Sequence, residues 1–207
     1  MGPGRLHALV DGVFAIAVTL LVLDLPRPDG SDRLAHDLLH AWPSYVAYLV
    51  SFVIVGVLWI EHHGMMSAVR YVNRRFLERT LVFLLFVSLI PWPTALAAEY
   101  VTDGGSAART VAVLYAATML LLSLAMTANW RYLLLHPELV AEPARPAFPA
   151  GTRRSLIASA VYVPALLLAL VSPDASFALD AIVAVYFAVS RSEVPGLIHR
   201  AALAGEG

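Results

Sequence analysis

Six apolar blocks, each close to the roughly 20 residues that carry a helix across a bilayer, constrain this chain more than any other feature. They fall at about 7–25, 41–62, 80–99, 107–130, 155–172 and 175–191. Of 207 residues, 59% are hydrophobic and only 14% are charged, against roughly 25% charged in a soluble domain. A small soluble core has no room for that excess, because a chain of this size keeps much of its surface in water. The expected fold is an all-α integral membrane protein of six transmembrane helices, a single domain over 1–207. No internal duplication divides it.

The basic residues set the expected topology. There is no lysine, and the arginines fall unevenly between alternate loops. On the side of the N-terminus lie Arg5, Arg70, Arg74, Arg75, Arg79, Arg131, Arg145, Arg153, Arg154, Arg191 and Arg200. Opposite them are Arg27, Arg33 and Arg109. Such an asymmetry places both termini in the cytoplasm, and an odd number of helices would scramble it. The first block runs into Asp24-Leu-Pro-Arg-Pro without a small-residue cleavage site, so it is expected to be a helix and not a removed leader. With no cysteine, disulfides, thiolate metal sites and cysteine nucleophiles are excluded. The net charge of -1 says little about partners; no nucleic-acid partner is expected.

Between the blocks the loops differ in character. The segment from Pro26 to His40 holds Asp29, Asp32 and Asp37, which with Asp24 make the outer side acidic, and its later half is expected to be a short helix. Gly64 to Arg79 is a basic loop, and Tyr132 to Arg154, with Pro137, Pro143, Pro146 and Pro149, reads as an irregular linker. Ser172-Pro173-Asp174 is a tight turn that makes the last two helices a hairpin. Pro91 and Pro93 should kink the third helix near its outer end.

No catalytic signature occurs: no Gly-x-Ser-x-Gly elbow, no His-Glu-x-x-His, no phosphate-binding glycine loop. The pentapeptide Thr-Val-Gly-Tyr-Gly is missing too, so no re-entrant selectivity-filter loop is expected and any ion preference must come from side chains. The first block supplies candidates. Ile16, Thr19, Leu20 and Leu23 form one stripe at helical steps, with Gly12 on the same face and an acid at each end, Asp11 and Asp24. Around a symmetry axis, Ile16, Leu20 and Leu23 would stack as apolar rings, Thr19 as a ring of hydroxyls and Asp24 as an acidic collar. The same stripe would equally serve to pack or to face lipid, with Thr19 bonded to its own backbone.

A second cluster sits at the cytoplasmic end. Trp59, His62 and His63 share a face of the second helix, at the depth of Arg5 and Asp11 on the first. Ionisable groups at membrane depth need partners, and Asp11 accepting from a histidine or from Arg5 would meet that need. The cluster is expected to clamp two helices, with a gating or pH-sensing role as the sharper alternative. His36 and His40 have a spacing that can bind a metal but lack a third ligand, so no metal site is expected. Asp180, inside the last helix, is expected to make an interhelical hydrogen bond.

Arg5-x-x-x-Leu9-Val10-Asp11 and the helix that follows resemble the Arg-x-x-x-Phe-Ser-Asp signature of the transmembrane protein 175 family, the lysosomal potassium channels and their bacterial relatives. Trp59-x-x-His62-His63 and Leu-Leu-Phe-Val-Ser-Leu-Ile-Pro91-Trp-Pro-Thr94-Ala-Leu extend the resemblance over residues 5 to 99. In place of the family's Phe-Ser pair stands Leu9-Val10, so the signature hydroxyl is missing. The resemblance implies a homotetramer in the membrane with the first helices around a pore. It puts Ile16 at the hydrophobic constriction, Leu20 and Leu23 at the apolar rings above, and Thr19 at the selectivity position.

The expected activity is therefore passive, potassium-selective cation conduction in a bacterial inner (plasma) membrane. The protein is not expected to be an enzyme. No cofactor is expected; K+ is the permeant ion, held transiently near Ile16 and Thr19. The rival expectation is a proton-coupled transporter relaying through Asp11, His62, His63 and Asp180.

Overall fold

A computed structural model of the protein describes residues 2–28, 33–100 and 104–190. Asp29 and Asp32 of the acidic loop, and Arg191 and Arg200 of the basic side, lie outside the described residues. Among the described residues eight α-helices follow in order: α1 Gly4–Leu21, α2 Leu34–His40, α3 Trp42–Ser67, α4 Arg74–Leu89, α5 Pro91–Tyr100, α6 Gly105–Leu135, α7 Phe148–Ala169 and α8 Pro173–Val189. Four stretches among the described residues are long and apolar enough to cross a membrane: Gly4–Asp24, Trp42–Ser67, Arg74–Tyr100 and Gly105–Leu135. The last two helices fall short by that measure. α8 has 17 residues, and α7 carries Arg153 and Arg154 in its second turn and contains Pro164. The chain is an all-helical integral membrane protein.

The long elements lie where the apolar blocks do, but several boundaries differ, each for a local reason. The first helix ends at Leu21 and tightens into a 3-10 turn over Val22–Asp24. The third block is two helices, broken at Ile90, because Pro91 and Pro93 lack the amide hydrogens that would continue α4. Just past the break the Thr94 hydroxyl donates to the Ile90 carbonyl at 2.8 Å, which also accepts the Thr94 amide at 3.3 Å.

The basic loop shrinks to residues 68–73, since α3 continues to Ser67 and α4 starts at Arg74. The Asn73 side chain caps α4 by accepting from the Phe76 amide at 2.9 Å. The proline-rich linker is also more ordered than its composition implies. Pro137 and Pro143 open 3-10 turns, and Pro149 lies in the first turn of α7, where a missing amide hydrogen costs nothing. That segment is strapped to the 68–73 loop by main-chain bonds, Arg70 N to Leu139 O at 2.8 Å and Ala141 N to Ala68 O at 2.9 Å. Ser172-Pro173 makes the expected turn, Ser172 capping α8 through the Ala175 amide.

α6 is the central helix. It packs on α4, α5, α7 and α8, and 56% of its apolar stretch is buried inside the chain, against 28% for α1. α1 touches α3, α4 and α5 and stands at the edge of the bundle. Lipid is as apolar as leucine, so helices in a bilayer associate through close packing and polar contacts. The α6–α7 pair has both. Ser123 and Thr127 on α6 meet Ser155 and Ser159 on α7 through hydroxyl bonds of 2.7–3.0 Å. At the end of that seam a Cβ on Gly151 would lie 2.5 Å from the Trp130 ring, and that ring is 2% exposed and packed on Phe148.

That approach is far inside van der Waals contact, so Gly151→Ala should destabilise the purified protein by about 1–3 kcal/mol, the usual range for overpacking. A clear fall in the thermal midpoint in detergent is expected; an unchanged midpoint would mean that the α6–α7 contact is looser than described.

Candidate functional site

Helical steps divide α1 into two faces. Leu6, Val10, Phe14, Ala17 and Leu21 are each 5% exposed or less and pack on the bundle. On the other face Gly12, Ala15 and Thr19 are exposed, and Ile16, Leu20 and Leu23 are exposed by 60%, 41% and 58%. The expected stripe thus lies on the side of α1 that no described residue of its own chain covers. In a 3-10 turn residues three apart eclipse, which brings Leu23 into line with Leu20.

Thr19 donates its hydroxyl hydrogen into its own helix, to the carbonyls of Ala15 at 3.0 Å and Ile16 at 2.9 Å. Its only hydrogen is committed inward, so the oxygen can meet anything outside only as an acceptor. Asp24 is exposed at the end of the turn, beyond which the chain becomes extended at Leu25.

At the other end Asp11 has a partner, and it is neither a histidine nor Arg5. The Trp59 indole Nε1 donates to Asp11 Oδ1 at 3.0 Å, while Arg5 is exposed and has no hydrogen bond or ion pair among the described residues. Trp59, His62 and His63 of α3 do not share one environment. Trp59 and His63 stay on the exposed edge with ring centres 5.3 Å apart. His62 turns inward, fully buried and stacked on Phe83 of α4 at 4.9 Å and 2°, with Phe14 of α1 6.3 Å away. Neither of its ring nitrogens has a hydrogen-bond partner among the described residues. The clamp between α1, α3 and α4 is therefore one charged hydrogen bond at the rim and an aromatic stack inside.

Asp180 is not brought to this cluster, and the hydrogen bond expected of it is missing. It is 1% exposed, with both carboxylate oxygens unbonded among the described residues. His36 and His40 stack at 4.0 Å on α2, and among the described residues no group of three His, Cys, Asp or Glu gathers as a metal would need.

Sequence reasoning missed an ion pair. Arg154 of α7 meets Glu61 of α3 at 3.3 Å, donates to the Ser190 carbonyl at 3.2 Å and lies over the Phe187 ring. The two side chains are 23% and 18% exposed. Glu61 carried its own signal, a carboxylate inside an apolar span. A buried trio was missed as well: Ser51 bonds Thr94 at 2.8 Å and Tyr115 at 3.1 Å, joining α3, α5 and α6.

A Streptomyces collinus protein named as a potassium channel is 38% identical over 199 residues, covering 93% of this chain and 94% of that one. The profile of the family described as endosomal/lysosomal potassium channel TMEM175 matches residues 5–91. The chain belongs to the TMEM175 family. A crystal structure of a lysosomal potassium-selective channel TMEM175 homolog from Chamaesiphon minutus superposes with a TM-score of 0.79 at 33% identity, over 90% of this chain and 96% of that one. The human protein named endosomal/lysosomal proton channel TMEM175 is 32% identical over 163 residues, which span 74% of this chain and 32% of the human one. The TMEM175 family is one of ion channels, not of enzymes. Its profile ends at Pro91 and so takes in Arg5, Asp11, the exposed stripe of α1 and the Trp59-His62-His63 group.

Glu61 and Arg154 join helices outside the α1 face, so their role is assigned to bridging α3 and α7. A double-mutant cycle with Glu61→Gln and Arg154→Met should give a coupling of about 0.5–3 kcal/mol in thermal or denaturant unfolding. Additive effects would show that the pair does not join the helices.

Proposed function

We propose that this chain is a potassium-selective cation channel: one six-helix domain over 1–207 with both termini in the cytoplasm, four copies of which surround a pore lined by α1. A bacterial plasma membrane is its proposed home. One observation carries the reading. The uncovered face of α1 runs between two exposed acids, Asp11 and Asp24, which at helical rise stand only about 20 Å apart. The hydrocarbon layer is about 30 Å thick. If that face looked into lipid, at least one carboxylate would stand in hydrocarbon, where a charge is expensive. A face that borders a water-filled path through an assembly carries no such penalty.

The mechanism follows from side-chain chemistry. The Asp24 carboxylates would raise the cation concentration at the outer mouth. Rings of Leu23, Leu20 and Ile16 exclude water and set the narrowest passage, closing it by dewetting when tight. Thr19, whose oxygen is available only as an acceptor, replaces part of the hydration shell of an ion passing Ile16. The exposed, side-chain-free Gly12 then leaves a wider inner vestibule. A cage of hydroxyls and water is looser than one of fixed carbonyls, so the preference for K+ over Na+ should be modest. Trp59 and Asp11, with His62, His63 and Arg5 nearby, hold the inner end of α1 against α3. The names of the Streptomyces collinus and Chamaesiphon minutus relatives support potassium as the ion.

Liposomes carrying the purified protein should pass K+ faster than Na+; equal fluxes, or none, would defeat the proposal. Ile16→Asn should wet the constriction and raise K+ flux several-fold, and an unchanged flux would remove Ile16 from the path. Thr19→Val, which keeps shape and removes the oxygen, should lower the K+ to Na+ ratio without loss of folding. A ratio equal to that of the unaltered channel would place selectivity elsewhere.

A further inference from the structure

Away from α1, a cavity of about 190 Å³ opens between α3, α5, α6 and α8. Its wall is almost wholly apolar and includes Trp42, Pro43, Val46, Tyr115 and Phe177, with Asp180 as the charged group. Trp42 is 62% exposed, so the cavity reaches the surface at the N-terminal end of α3. Asp180 is 1% exposed, and neither of its oxygens is bonded by any described residue. The Tyr115 hydroxyl is already engaged with Ser51 at 3.1 Å. A carboxylate buried in an apolar wall needs a cation or a proton, and the fold provides no side-chain cation for it among the described residues.

The chemistry of the lining selects among occupants. A bare alkali or alkaline-earth ion seeks about six or more oxygens, and this wall offers one free carboxylate. An organic ammonium ion needs less: a single carboxylate for the head, aromatic faces to meet its charge and apolar walls for its body. The volume agrees, since an apolar cavity of about 150 Å³ already takes a benzene ring. We propose that the Asp180 cavity binds a small lipophilic ammonium ion, with its head on Asp180, its body against Val46 and Pro43, and Trp42, Tyr115 and Phe177 around it. The site is separate from the α1 face and does not depend on the pore reading.

The test measures the thermal midpoint and calorimetric binding of the full chain in detergent with benzylamine, benzyl alcohol, ethanolamine and KCl. Benzylamine should bind saturably and raise the midpoint. Benzyl alcohol, which lacks the charge, and ethanolamine, which lacks the apolar body, should each bind at least tenfold more weakly, and KCl should not compete. Asp180→Asn should weaken benzylamine at least tenfold. Ala47→Phe, which fills the cavity and leaves the carboxylate in place, should do the same and decides the matter if the first variant fails to fold. Equal binding of the alcohol would show apolar partition only, and stronger binding of ethanolamine a headgroup-type amine site. Either result, or benzylamine binding undiminished in both variants, would overturn the assignment.

Discussion

α1 is gripped from one side only. The Leu6, Val10, Phe14, Ala17 and Leu21 stripe packs on α3, α4 and α5, and the Phe14–His62–Phe83 group holds its middle. The Trp59–Asp11 bond holds its N-terminal half. In lipid an uncovered aliphatic face is under no hydrophobic pressure to hide, so the exposure of Ile16 or Leu20 alone would say little. What gives that face meaning is its framing by two exposed carboxylates closer together than the hydrocarbon layer is thick. An apolar stretch bounded that tightly by acids suits a constriction in a watery path better than a surface for lipid.

The rest of the bundle acts as a rigid backing for this one helix. Its seams are polar rather than purely aliphatic: the hydroxyl ladder between α6 and α7, the Ser51–Thr94–Tyr115 trio and the Glu61–Arg154 pair. That pattern is what a bilayer demands, because small hydroxyl side chains let helices approach and then bond across the gap. The break at Pro91 belongs to the same scheme. Next to it the Thr94 hydroxyl bonds the Ile90 carbonyl, and Thr94 is also a member of the trio. Backing and break thus share a residue.

The long helices, the short helix before α3, the break at Pro91 and the turn at Ser172 were all legible in the sequence, because each follows from local pattern: apolar length, a missing amide hydrogen or a capping hydroxyl. Boundaries at the polar ends were not. α6 runs on to Leu135 and α7 begins at Phe148, both beyond the apolar blocks, since tertiary packing on Trp130 carries helices that composition alone does not. Prolines that read as linker punctuation turned out to start helical turns. Within the candidate site, the exposed stripe of α1 followed from periodicity, whereas the donor to Asp11 did not. Spacing placed Trp59, His62 and His63 together, but the actual division depends on which side of α3 meets Phe83, a fact written in a different helix. The Glu61–Arg154 pair escaped for the same reason: Glu61 stood out as a carboxylate in an apolar span, but only the fold shows that Arg154 is its partner.

Convergence of α1 from several copies on a common axis is the central claim, and the natural lack of cysteine makes it directly measurable. A single Ile16→Cys variant, oxidised in native membranes beside a Leu156→Cys control on the exposed side of α7, reports which face meets another copy. The account predicts disulfide-linked dimers at position 16 and none at 156. Position 16 remaining monomeric while it reacts with lipid-soluble but not water-soluble thiol reagents would contradict it.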